Sequence, residues 1–197
     1  MKISPAGDRA LLVDLDDVRA VAAHHAGWAS GHPGVVELIP AASTVLVTMT
    51  EDAEPSRVAS WLRETPPAEV LGGSGDTITI DVRYDGPDLD DVCATTGLDI
   101  VAVHTGQVWT AAFCGFSPGF AYLVGSEPLS IPRRADPRTS VPAGSVALAG
   151  EYTGVYPTSS PGGWQIIGST DAALWDVNRD DPALLAPGTR VQFRAVM

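Results

Sequence analysis

Between residues 115 and 165 the chain gathers side chains and loop residues that could do chemistry. Gly115-Phe116-Ser117-Pro118-Gly119-Phe120 comes first, followed by Pro132-Arg133-Arg134 and Asp136-Pro137-Arg138. Val141-Pro142-Ala143-Gly144-Ser145-Val146 and Ser160-Pro161-Gly162-Gly163-Trp164-Gln165 complete the set. Glycine lets a ligand or partner backbone approach closely, and proline fixes a loop before anything binds. Loops of this kind, carrying Arg, Ser, Trp and Gln, describe a shaped surface more than routine hairpins. Arg133, Arg134 and Arg138 are three of only 12 basic residues, and a guanidinium suits bidentate recognition of carboxylate or phosphate. The competing reading is that they balance nearby carboxylates at the surface. Trp164 is either an interface anchor or a core ring. His104 is either a satisfied structural histidine or a general acid or base.

Other chemistries fail on specific residues. Gly115-Phe116-Ser117-Pro118-Gly119 has the form of a nucleophile elbow. That mechanism needs the N–H after the serine as an oxyanion donor, and Pro118 has none. It also needs a later histidine, whereas the last in the chain is His104, so Ser117 reads as a turn residue. His24 and His25 are adjacent and diverge by about 100° on a helix, so they cannot share a metal ion. The acidic pairs Asp16-Asp17, Asp90-Asp91 and Asp180-Asp181 lack the alternating spacing of a calcium loop. No P-loop occurs, so ATP is not bound here by that route.

The elements that must position these loops fall into two groups. Ala10 to Leu15 reads as a strand. Val18, Val21, Ala22, His25, Ala26 and Ala29 recur at helical spacing, with Asp16 and Asp17 at the start and Gly31 as a stop. Strands are expected over Val35 to Ile39 and Ser43 to Met49, then a helix over Pro55 to Glu64 with proline in its first turn. This makes residues 1–71 a small α+β domain. Gly72-Gly73-Ser74-Gly75 marks a linker over 72–76. In 77–197, Thr77 to Tyr84 alternates as a half-buried strand. Asp88 to Thr96 and Asp99 to Gly106 read as short helices. Short apolar runs broken by Pro and Gly follow, as in a sandwich or closed barrel.

The 24 acidic residues against 12 basic ones give a formal charge of -12, a field that repels nucleic acid and anionic membranes. No stretch approaches the ~20 apolar residues of a membrane span. The first residues, Met1 to Asp8, lack the apolar run of a signal peptide. With only Cys93 and Cys114 present, no disulfide framework is expected. The expected location is the cytoplasm.

Gly-Phe-x-Pro-Gly-Phe at 115–120, the two Pro-Arg elements, Val-Pro-Ala-Gly-Ser-Val at 141–146 and Ser-Pro-Gly-Gly-Trp at 160–164 together resemble one family. It includes the B subunit of 5-oxoprolinase, allophanate hydrolase subunit 1 and the sporulation-kinase inhibitor, and is similar to part of the carboxyltransferase domain of urea carboxylase. Gly7-Asp8 and Val35 to Val47 extend the resemblance to nearly the whole chain. It implies an α+β N-terminal domain followed by a mainly-β, cyclophilin-like barrel. It implies two partners, a homologous and larger C subunit and a third component, the A subunit. It also implies a small amide as substrate, and ATP, with Mg, used by the complete complex. The reaction implied is ATP-driven opening of the 5-oxoproline lactam to glutamate, the carbonyl oxygen being phosphorylated before water attacks. A carboxyltransferase or allophanate-hydrolase-type component, and an inhibitor of a histidine kinase, are the alternatives within the family.

On that reading Arg133 and Arg138 are the anion-contacting candidates and His104 the proton-transfer candidate. Phe116, Pro118, Gly119, Phe120, Pro142, Gly144, Ser145, Pro161, Gly162, Gly163, Trp164 and Gln165 form the substrate or partner loops. Family members commonly carry Gly-Arg-Thr after the Trp loop, whereas this chain has Gly168-Ser169-Thr170. If that arginine meets substrate or partner, Ser169 removes a charge.

Overall fold

The computed structural model describes residues 1–68, 77–127 and 129–197; the linker expected over 72–76 lies outside them. The chain divides into two compact units, Met1–Leu71 and Gly72–Met197.

In the first unit the elements run β1 (Lys2–Pro5), β2 (Ala10–Asp14), α1 (Val18–Gly27), a 3-10 turn (Trp28–Ser30), β3 (Val35–Pro40), β4 (Thr44–Met49) and α2 (Pro55–Glu64). The strands form an antiparallel sheet ordered β1-β2-β4-β3. β1 has no strand-like pattern of its own and is recruited by pairing with β2; Pro5 is tolerated because this is an edge strand. The Asp17 side chain caps α1 by accepting from the Ala20 N–H at 2.8 Å, which satisfies one of the helix's free donors. α2 starts at Pro55, where a missing N–H costs nothing. Leu11, Val13, Val21, Trp28, Val45, Val47, Val58 and Leu62 fill the core. The indole of Trp28 donates to Leu62 O at 3.2 Å, so the buried ring leaves no polar atom stranded.

The second unit contains β5 (Thr77–Val82), α3 (Leu89–Thr96), α4 (Ile100–Thr105), β6 (Val108–Cys114), β7 (Ala121–Gly125), β8 (Arg138–Val141), β9 (Ser145–Ala149), β10 (Tyr152–Val155), β11 (Ser160–Gly162), β12 (Gln165–Ser169) and β13 (Arg190–Ala195). Seven strands make one sheet, ordered β12-β9-β10-β7-β6-β13-β5, and β8 pairs with β11 separately. Among the described residues only the β13–β5 pair is parallel. The sheet curls until its outer strands meet: beyond β5, Arg83 bridges Ser169 at the end of β12, with N–H to O distances of 2.9 and 2.8 Å. Gly168 permits this closure, since a Cβ there would run into Arg83 O. The half-buried alternation expected for β5 is found, and the β-rich remainder is a curled barrel sheet rather than a sandwich.

This sheet is apolar on both faces. Ile80, Trp109, Leu123, Val146, Leu148, Ile167 and Phe193 fill the inside with α3 and α4. Ala147, Ala149 and Ile166 point the other way, into a second layer with Phe120, Val141, Tyr156 and Trp164. β9 is therefore buried at every position, which explains the apolar run Val146–Ala149 that follows Ser145. No helix among the described residues is long and apolar enough to cross a membrane.

Candidate functional site

The outer layer of the second unit collects most of the loops singled out in the sequence. Its centre is aromatic. Phe120 meets Tyr122, Tyr156 and Trp164 edge-on at ring distances of 5.0, 5.4 and 5.5 Å. Gly154 has to lack a side chain here, because a Cβ would lie 2.9 Å from the Phe120 ring and 3.2 Å from Trp164. Trp164 is thus a core ring, 5% exposed. Phe116 is the opposite case. It is 59% exposed and is the single non-glycine residue with positive φ among the described residues, at 70°. That conformation costs a bulky L-residue about 1–2 kcal/mol. The turn behind it is held by Phe120 N–H donating to Ser117 O at 3.0 Å, so Ser117 is a turn residue and forms no nucleophile elbow. Pro118 is exposed. Gly119 has φ 82°, and a Cβ there would sit 3.0 Å from Leu174 O.

The arginines divide sharply. Asp88, 2% exposed, accepts from Arg138 Nη1 at 2.9 Å and Nη2 at 2.8 Å, from Arg134 Nη1 at 2.6 Å, and from the Ile166 N–H at 2.7 Å. Burial acts to raise this carboxyl, but the bonds from Arg138 and Ile166 and the two positive charges hold it below the usual carboxylate range. One acid thus ties the segment before α3 to residues 134–138 and to β12. Asp88 precedes α3 but makes no side-chain capping bond to it. Arg138, expected to meet an anion, meets this one. Arg133 is exposed, and its guanidinium enters no hydrogen bond or ion pair among the described residues. Its charge reaches the phenols of Tyr122 and Tyr156, opposing the burial that pushes both up.

The backbone on each side of Arg133 is anchored. Gln165 Nε2 donates to Pro132 O at 3.1 Å, and Arg134 N–H donates to Gly163 O at 2.9 Å. Gly162 leaves room for the Tyr156 hydroxyl, and Pro161 is exposed beside it. In the other loop, Gly144 has φ 79° and accepts from Thr170 N–H at 2.9 Å. Ser145 is 5% exposed and Pro142 faces outward.

His104 lies elsewhere, inside the barrel, and is 0% exposed. Its ring stacks on Phe193 at 4.2 Å. Nδ1 is 2.7 Å from Tyr84 Oη and Nε2 is 2.8 Å from Thr153 Oγ1. The Thr153 hydroxyl donates to Ala147 O at 3.2 Å, so it accepts from Nε2–H and Nδ1 accepts from Tyr84. Burial pushes the Tyr84 phenol up, which keeps it a donor, and pushes His104 down to about 3. The ring is closed off from solvent and both its nitrogens are engaged, which is the place of a neutral brace joining α4 to β10.

Three of these partners were not picked out from the sequence. Asp88 was read only as the start of a helix, and Tyr122 and Tyr156 were not named as site residues.

The curled barrel sheet with its outer loop layer is the fold of a carboxyltransferase-type domain. The chain belongs to the carboxyltransferase domain, subdomain C and D family, whose model matches residues 1–185. Within it, the 5-oxoprolinase B subunit of Escherichia coli O157:H7 is 39% identical over 205 residues, covering 95% of this chain and 92% of that protein. The protein of the same name from Haemophilus influenzae is 49% identical over 126 residues, covering 60% and 59%. Among solved structures, TTHA0988 matches at a TM-score of 0.78 and 32% identity, covering 96% of this chain and 40% of that one. This chain thus spans well under half of that protein. The urea carboxylase of Kluyveromyces lactis matches at a TM-score of 0.73 over 99% of this chain and 22% of its own, at 17% identity, which shows the shared fold. The expected architecture, an α+β unit followed by a mainly-β, cyclophilin-like barrel, is the one observed.

Proposed function

We propose that this chain is the B-type component of an ATP-dependent 5-oxoprolinase, which opens the lactam of 5-oxoproline to L-glutamate. The observation that carries the reading is the 39% identity to a 5-oxoprolinase B subunit across 95% of this chain. A carboxyltransferase role draws on the name of the family model and on a fold shared at 17% identity, and is the weaker reading.

A lactam carbonyl is a poor electrophile, so its opening needs ATP in the complete assembly and groups that stabilise developing negative charge. This chain offers rigid loops whose backbone is fixed before anything binds. Among the described residues no cluster of three or more His, Cys, Asp or Glu could hold a metal ion, and the sequence has no P-loop. The partners are a larger homologous C subunit and an A subunit, the complex works in the cytoplasm, and this chain alone is inactive. The solvent-facing Phe116 and Pro118 and the Pro142 and Pro161 loops serve as partner or substrate contacts. The test is glutamate formation from 5-oxoproline and ATP by the mixed subunits, with this chain present or omitted.

A further inference from the structure

We infer that Arg133 recognises the carboxylate of the lactam substrate, and that the phosphates of ATP are handled outside this arginine cluster. The inference rests on the proposed 5-oxoprolinase reading and assigns one end of its substrate to one residue.

Of the three clustered arginines, two are spent. Arg138 gives both terminal nitrogens to Asp88 and Arg134 gives Nη1, while Arg134 Nε is buried without a partner. Neither can turn toward a ligand without stranding a carboxylate that is 2% exposed. Arg133 is exposed and uncommitted among the described residues. It is also preorganised. Pro132 O and Arg134 N–H, on either side of it, are bonded to Gln165 and Gly163. The backbone that carries the guanidinium therefore needs no ordering when a ligand arrives.

Local charge decides between the two anions of the reaction. Arg134 and Arg138 are paired with Asp88, so among the described residues Arg133 is the cluster's free guanidinium. One guanidinium matches one carboxylate. A nucleotide triphosphate carries about four negative charges and needs several cations or a nest of backbone N–H groups. On the proposed 5-oxoprolinase reading, the chemical class is a small cyclic amide bearing one free carboxylate.

The experiment pairs a substrate deletion with a side-chain deletion in the assembled complex. 2-Pyrrolidinone is the same lactam without the carboxylate. A charge-assisted pair is worth roughly 10–100-fold, so wild-type kcat/KM should favour 5-oxoproline over 2-pyrrolidinone by at least that factor. Arg133→Ala should abolish the preference by raising KM for 5-oxoproline, leaving KM for ATP and turnover of 2-pyrrolidinone unchanged. Arg133→Lys should restore part of it. An undiminished preference in Arg133→Ala, or a rise in KM for ATP instead, overturns the inference. If the wild-type assembly makes no glutamate, the functional reading fails, and equilibrium dialysis with labelled 5-oxoproline then judges the site. Binding by wild type that Arg133→Ala loses upholds it, and no binding by wild type ends it.

Discussion

Asp88 takes four hydrogen bonds from three residues, and its removal strands two guanidinium groups at once. Arg134 and Arg138 keep 32% and 22% of their side chains exposed, so the cost falls below that of a fully buried pair. Asp88→Ala should lose about 2–4 kcal/mol in denaturant unfolding; a loss under about 0.5 kcal/mol would show that the knot contributes nothing. Its depressed carboxyl adds stability above the ordinary carboxylate range and loses it only as the pH falls through that range. His104 acts at higher pH. Its folded value is lowered to about 3 from 6.5, so its contribution is complete above 6.5 and drains as the pH falls toward 3. The slope approaches ~1.4 kcal/mol per pH unit. Burial lowers His24 as well, and a variant separates the two. His104→Gln should be less stable at pH 7, and its stability should change less between pH 6.5 and 4.5. An unchanged slope would mean that His104 is not the group that titrates.

At the scale of elements, what was legible followed from local rules. α2 is found at Pro55–Glu64, as expected with Pro55 in its first turn. α1 begins where Asp17 can cap it, and β5 shows its alternation. What was not legible depends on distance along the chain. Asp88 is separated from Arg134 and Arg138 by 46 and 50 positions, and His104 from Thr153 by 49. No window of sequence contains those pairs, so the sequence left open whether Arg138 and His104 are engaged, and both are. β1 was missed because its pattern comes from β2 and not from itself. The Phe116 turn was recognised as unusual, but its positive φ was not. Keeping a phenylalanine at φ 70° is worth its strain only if the exposed ring has a task. Phe116→Gly should leave unfolding free energy within ~1 kcal/mol, since relieved strain offsets the looser unfolded chain. The same change should reduce glutamate formation in the assembled enzyme; undiminished activity would reduce the ring to decoration.

For the whole molecule, the relatives named B subunits of 5-oxoprolinase imply a multi-subunit complex. The loops that hold Arg133, Trp164 and Phe116 belong to one layer over one face of the barrel sheet, and that layer is where a substrate or partner is proposed to meet this chain. Its relative of 32% identity is much the longer chain, which is consistent with a fold that operates beside further polypeptide. The measurement that bears most directly on the central claim is ATP-dependent release of glutamate from 5-oxoproline by the purified subunits mixed together. The account predicts release in the full mixture, none from this chain alone, and none when this chain is left out. Release that continues at the same rate without this chain, or its absence from a mixture shown to assemble, would contradict it.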